Sequence, residues 1–261
     1  MNIYILPLIL TLFAGMSTLL GGFVTFFIKR NNLKALSIGL GFSAGVMVYV
    51  SLSELMREAP EMLSGYYSVI PSKALAFGGF FLGIIIAIAI DYFIPDHIES
   101  DFFNKSAKSQ QRHRIRRAGL ITAIAVTLHN FPEGMATFLV SSQDLRLGVP
   151  VAIAIAIHNI PEGIAIALPI FHATGKKRLA ILYTFLSGIS EPVGGLIGVL
   201  LLKTIMPAQS IGIMTAAVAG IMVYISFDTL LPLAREYGEN HHVIIGIVSG
   251  MLIMGFGLIF L

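Results

Sequence analysis

Apolar residues fall along this chain in eight long blocks, each parted from the next by a short polar or basic stretch. The blocks lie near residues 3–27, 33–56, 73–95, 118–140, 147–171, 178–202, 210–233 and 243–261. Each is about 20 to 25 residues long, the length a helix needs to cross about 30 Å of hydrocarbon. Within the fifth block VAIAIAI (151–157) alternates like a strand. Both of its residue types are apolar, however, and the block is too long for one buried strand, so length decides for helix. The first block carries neither a basic leader nor a small-residue cleavage site, and reads as a retained helix and not as a signal peptide. The expected fold is an all-α membrane protein of eight transmembrane helices, a single transmembrane domain over 1–261.

The blocks repeat. GVMVYVSLSELMRE (45–58) in the second echoes GIMVYISFDTLLPL (220–233) in the seventh, and FAGMSTLLGG (13–22) in the first echoes LSGISEPVGG (186–195) in the sixth. The fourth and fifth share HNxPEG, at His129 and again at His158. Partners an odd number of crossings apart run in opposite directions. The pattern therefore predicts an inverted repeat of three helices, two, then three, an arrangement typical of transporters with a site near the bilayer midplane.

Composition fixes the solvent. Of 261 residues 56% are hydrophobic and 12% charged, against roughly 25% charged in a soluble domain. Cysteine is absent, which removes disulfides and thiolate metal sites. The net charge of +3 is small and its basic residues form short clusters between apolar blocks, a pattern unlike a nucleic-acid binder. Thirteen of the 17 Lys and Arg residues fall in the connections after blocks 1, 3, 5 and 7; Arg57, Lys73, Arg146 and Lys203 lie on the other side. The richer side is expected to be cytoplasmic, with both termini outside and 98–117 a basic cytoplasmic loop that meets anionic lipid.

Chemistry enters at mid-depth. On a helix, residues i and i+4 share a face, so His129 points with Glu133 and His158 with Glu162, with Asn130 and Asn159 beside them. Pro132 and Pro161 each remove a helical hydrogen bond. His129 lies 11 residues into its block, about 16 Å deep at 1.5 Å per residue. Glu191, in SGISEPVGG, adds a third carboxylate at that level. Each charge at the bilayer centre costs about 2.5–3.5 kcal/mol, so three unpaired ones would cost roughly 8–10. No Lys or Arg shares their depth in the sequence, which leaves protons or metal to neutralise them. Two divalent ions would bring +4 against −3, and imidazole with carboxylate suits Zn, Fe(II), Mn or Co. Met16, Met47, Met135 and Met222 read as packing, and His172 as an interfacial helix-end residue.

Toward the ends of the blocks, Glu54 reads as a mouth carboxylate that attracts cations, and Asp228 as a path residue near the opposite face. Asp91, Asp96 and His97 fall near the inner end of the third block, with Glu99, Asp101 and His113 beyond. Two other functional classes fit the sequence less well. An intramembrane metallohydrolase needs a general base beside its ligand histidine; here that neighbour is Asn, and the two motifs are symmetric where catalysis needs one open coordination position. A proton-coupled carrier of organic solutes needs a substrate-sized apolar cavity, against which three close acids argue.

The doubled HNxPEG motif, the inverted layout, the basic connection between blocks 3 and 4, and FDTLLPLAREYG (227–238) together resemble the ZIP family of divalent metal transporters, and its bacterial, broad-specificity branch in particular. The likeness runs over nearly the whole chain. It implies a two-metal site between helices 4, 5 and 6, with one ion on His129, Glu133, His158 and Glu162. The second ion would sit on Asn130, Asn159 and Glu191, with Glu133 and Glu162 bridging. The resemblance further implies zinc uptake through the cell (inner) membrane into the cytoplasm, acceptance of Fe, Mn, Co and Cd, no resident cofactor, and a homodimer. Where that branch commonly carries an acidic pair in segment 7, this chain has Asp228 followed by Thr229.

Overall fold

The computed structural model describes residues 4–93, 107–202 and 210–259. Asp96, His97, Glu99 and Asp101, residues 98–106 of the basic connection, and Lys203 lie outside them. Among the described residues the chain is helical throughout: α1 Ile5–Phe23, α2 Leu33–Val50, α3 Met56–Ser64, α4 Val69–Phe93, α5 Ala107–Gln143, α6 Leu145–Thr174, α7 Lys177–Gly188, α8 Ser190–Leu202, α9 Ser210–Ile225, α10 Leu231–Tyr237 and α11 Asn240–Ile259. Two single π turns, Ser51–Leu55 and Ser226–Leu230, join α2 to α3 and α9 to α10. Residues 107–117 of the basic connection are the first three turns of α5.

Seven of the described helical stretches are long and apolar enough to cross a membrane. The eighth expected crossing, 118–140, is helical but is not among them. His129, Asn130, Pro132 and Glu133 dilute its apolar content, and its partners are other helices, α6 and α8.

Local sequence explains where the helices stop. Asn32 accepts from the Ala35 amide at 3.0 Å to start α2, and Asp144 accepts from the Arg146 amide at 2.8 Å to start α6, as N-caps do. Asp144 is the only residue between α5 and α6, so the two form a tight antiparallel pair. α6 ends on Gly175 at φ 72, a left-handed cap that glycine adopts without steric cost. Arg30 then crosses from the α1–α2 connection to donate to the carbonyls of His172 (3.2 Å) and Ala173 (2.8 Å), which satisfies part of that helix end.

The helices sort into mirrored contacts: α1 lies on α6 as α8 lies on α5, and α2 lies on α11 as α9 lies on α4. Leu36, Leu40, Met47 and Val50 of α2 join Met222 and Ile225 of α9 in the largest buried apolar cluster. Close approach at the centre depends on glycines, Gly134 and Gly163 among them. A Cβ at Gly134 would overlap the Glu191 carbonyl, and one at Gly163 the Thr18 carbonyl. These contacts draw α8 onto α5 and α1 onto α6, and so bring the polar groups of three helices together.

Candidate metal centre

α5 supplies His129, Asn130 and Glu133; α6 supplies His158, Asn159 and Glu162; the first turn of α8 supplies Glu191. All seven are buried. The prolines leave both helices continuous, and Ser43 on α2 donates to the Pro161 carbonyl at 2.6 Å.

Each histidine shares a helical face with the glutamate of its own motif, but the close His–Glu pairs form across the two helices. His129 Nε2 lies 2.9 Å from Glu162 Oε1, and His158 Nε2 lies 3.5 Å from Glu133 Oε2. Because α5 and α6 run antiparallel, residue 129 is level with 162 and residue 133 with 158. The first pair is a hydrogen bond; the second is too long for a good one. Asn159 donates to the Ala14 carbonyl at 2.9 Å and to Glu191 Oε1. The Asn130 amide turns its NH2 inward, where it donates to Glu162 Oε2 (3.2 Å) and the Val126 carbonyl (3.0 Å); in the opposite orientation its oxygen would face those two acceptors.

Among the described residues, no three imidazole or carboxylate groups close around one point. The arrangement is two His–Glu couples with an Asn–Glu couple beside them. Yet its lone pairs are largely unspent. His129 Nδ1, both His158 ring nitrogens, both Glu133 oxygens, Asn159 Oδ1 and Glu191 Oε2 are buried without a hydrogen-bond partner. Leaving one such group unsatisfied costs about 1–3 kcal/mol. Among the described residues none of the three glutamates forms an ion pair with Lys or Arg. Acidic and imidazole donors that gather so, without a fixed cation, suit a divalent ion as cargo.

A cavity of about 90 Å³ opens on one side of this group, lined by Glu133 and His158 together with Glu54, Glu58, Met62 and Met135. Glu54 therefore shares a cavity with two residues of the centre. Glu58 and Met62 were not singled out from the sequence, although Glu58 stands four residues after Glu54, on the same helical side. Arg57 faces Glu58 (3.5 Å) and Glu61 (3.3 Å) on the exposed side. Asp228, in the second π turn, is exposed, whereas Ser226, Thr229 and Leu230 beside it are buried, so the structure does not bring Asp228 to the centre. Asp91 pairs with Arg117 at 3.4 Å. His172 ends α6 as expected but is buried, its ring nitrogens 2.8 Å from the Leu168 carbonyl and 3.1 Å from that of Asn32. Met47 and Met222 are core, whereas Met135 borders the cavity.

A family model described as ZIP Zinc transporter matches residues 94–258. The chain is 44% identical to a protein of Clostridium perfringens named zinc transporter ZupT, over 99% of this chain and 97% of that one. It is 47% identical to the Streptococcus mutans protein of the same name, over 96% of each. With the Oceanobacillus iheyensis protein, also so named, it shares 43% over the full length of both.

Proposed function

The chain belongs to the ZIP family of zinc transporters, and on that footing we propose that it carries zinc across the cell (inner) membrane into the cytoplasm through a midplane two-metal centre built by α5, α6 and α8. It is a membrane protein and a transporter, not an enzyme. One observation carries the proposal: the mirrored His129–Glu162 and His158–Glu133 couples, buried beside Asn159–Glu191 with most of their lone pairs unpartnered.

In this reading one ion takes His129, Glu133, His158 and Glu162. The second takes Asn130, Asn159 and Glu191, and Glu133 and Glu162 bridge the two. A site of nitrogen and carboxylate donors without thiolate also admits Fe, Mn, Co and Cd, since affinity alone discriminates poorly among such ions. Zinc is cargo, and the reading includes no resident cofactor. The cavity that Glu54 and Glu58 share with His158 supports an outer approach; Asp228 would act only at the far surface.

The reading takes α5 as an eighth crossing and arranges the helices as three, two, three, inverted, with both termini outside. It is supported by the mirrored packing of α1 on α6 with α8 on α5, and by π turns at corresponding places in the second and seventh segments. The basic start of α5 fits a cytoplasmic face. A homodimer is carried over from the resemblance and is checked by the mass of the detergent-solubilised protein.

The test uses purified protein. Equilibrium dialysis should give two zinc ions per chain, and proteoliposomes holding a zinc-sensitive dye should fill when zinc is added outside. Filling without saturable binding, or no filling at all, would overturn the proposal.

A further inference from the structure

Thr18 occupies the place that the internal repeat gives to Glu191. Aligning FAGMSTLLGG with LSGISEPVGG sets Ala14 against Ser187, Gly15 against Gly188, Ser17 against Ser190 and Thr18 against Glu191. Hydrogen bonding follows that alignment. Ser17 Oγ donates to the Ala14 carbonyl at 2.6 Å, which also receives the Asn159 amide. Ser190 Oγ donates to the Ser187 carbonyl at 2.5 Å, and that carbonyl lies 3.4 Å from the Asn130 side-chain amide. The Thr18 carbonyl lies against Gly163 as the Glu191 carbonyl lies against Gly134. On one side the pattern ends in a carboxylate that touches the Asn159 amide. On the other it ends in a hydroxyl.

That hydroxyl behaves unlike its neighbours. Thr11 and Ser17 in α1, and Thr25 just beyond, each donate to a carbonyl three residues back. Thr18 is 0% exposed and its Oγ1 has no partner. A helical threonine ordinarily returns its hydroxyl to the carbonyl four residues back; here that carbonyl, of Ala14, is already shared by Ser17 and Asn159. A buried hydroxyl left over in this way calls for another partner.

Resting on the two-metal reading above, we propose that Thr18 is a further oxygen-ligand position of the centre, matched to Asn130 as Glu191 is matched to Asn159, and that its neutrality sets how tightly the centre holds its ions. With three carboxylates the centre carries one negative charge fewer than two divalent ions neutralise. A carboxylate at position 18 would complete the balance. Ions would then bind more tightly and leave more slowly, whereas a carrier must release what it binds.

The experiment compares Thr18→Val, which keeps shape and removes the hydroxyl, with Thr18→Ser and Thr18→Glu. Zinc affinity is measured by equilibrium dialysis, cobalt ligand field by visible absorption, and uptake in proteoliposomes. Thr18→Val should weaken zinc binding several-fold and change the cobalt spectrum, while Thr18→Ser keeps both. Thr18→Glu should bind several-fold more tightly and transport more slowly. Should Thr18→Glu fail to fold, the Val and Ser pair decides alone. Unchanged affinity and spectrum in Thr18→Val, or equal losses in Val and Ser, would overturn the assignment. Glu162→Ala serves as the control for the centre itself: if it binds zinc like the unaltered protein, the two-metal reading fails whatever Thr18 does.

Discussion

His129 Nε2 and Glu162 Oε1 meet at 2.9 Å across the α5–α6 interface, both side chains fully buried. The imidazole of one motif is thus held by the carboxylate of the other, and the two copies of HNxPEG form one unit.

That crossing ties Glu133 and Glu162 each to the opposite helix. Replacing Glu133 or Glu162 with Ala should abolish zinc uptake while the protein remains folded in the membrane, as monitored by size-exclusion profile and dye-filled proteoliposomes. Zinc flux at the unaltered rate in Glu133→Ala would end the two-metal reading.

In the proposed two-metal centre Glu191 is the milder case, because only the second ion would depend on it. Glu191→Gln keeps the shape and the contact with Asn159 but removes the charge. Metal analysis after dialysis should fall from two zinc ions per chain towards one, with some transport retained. Two ions still bound in Glu191→Gln would remove Glu191 from the ligand set.

Much of this was legible in the sequence, for identifiable reasons. Membrane spans are read from length, and the described helices begin and end within a few residues of the apolar blocks, except where α3 carries the second segment on to Ser64 and α5 begins at Ala107. The ligand-bearing motifs stand out because polar residues are costly at that depth. What stayed hidden depends on contact between helices. Spacing puts His129 with Glu133, but only the antiparallel docking of α6 gives His129 to Glu162. The π turns carry no compositional mark, but the repeat sets Asp228 against Ser53 and Glu54 against Thr229, and the structure exposes Asp228 as it exposes Ser53. Thr18 carries no chemical signal of its own; only its repeat partner Glu191 points to it.

Packing yields a separate prediction. A Cβ at Gly163 would overlap the Thr18 carbonyl, and backbone cannot yield as a side-chain tip does. Overpacking of this kind costs about 1–3 kcal/mol. Gly163→Ala should therefore lower the thermal midpoint of the detergent-solubilised protein and part α1 from α6. An unchanged midpoint would mean that the α1–α6 contact is looser than the structure has it.

Sidedness is open to chemistry, since the chain has no cysteine of its own. A thiol at Ser109, near the basic start of α5, should resist an impermeant reagent in intact cells. One at Tyr66, exposed beyond the end of α3, should label. The reverse pattern would invert the topology and place Glu54 and Glu58 at the cytoplasmic mouth.

The last prediction concerns which ion the centre prefers. Among the described residues His129 and His158 are the imidazoles of the centre, and imidazole favours zinc over harder ions that take oxygen donors. Replacing both with Asn puts amide oxygen where ring nitrogen was and leaves Glu133, Glu162 and Glu191 in place. The carboxylates still attract divalent ions, so binding should weaken without vanishing. The loss should fall more heavily on zinc than on manganese. A fall of about tenfold in the zinc-to-manganese affinity ratio corresponds to about 1.4 kcal/mol of differential binding, and competition dialysis with both metals measures it directly. The same double replacement also removes the direct contact of each histidine with the opposite glutamate, so a general loosening of the centre would depress both affinities together. An unchanged ratio, with both affinities lowered equally, would show that the histidines hold the helices in place and do not select the ion.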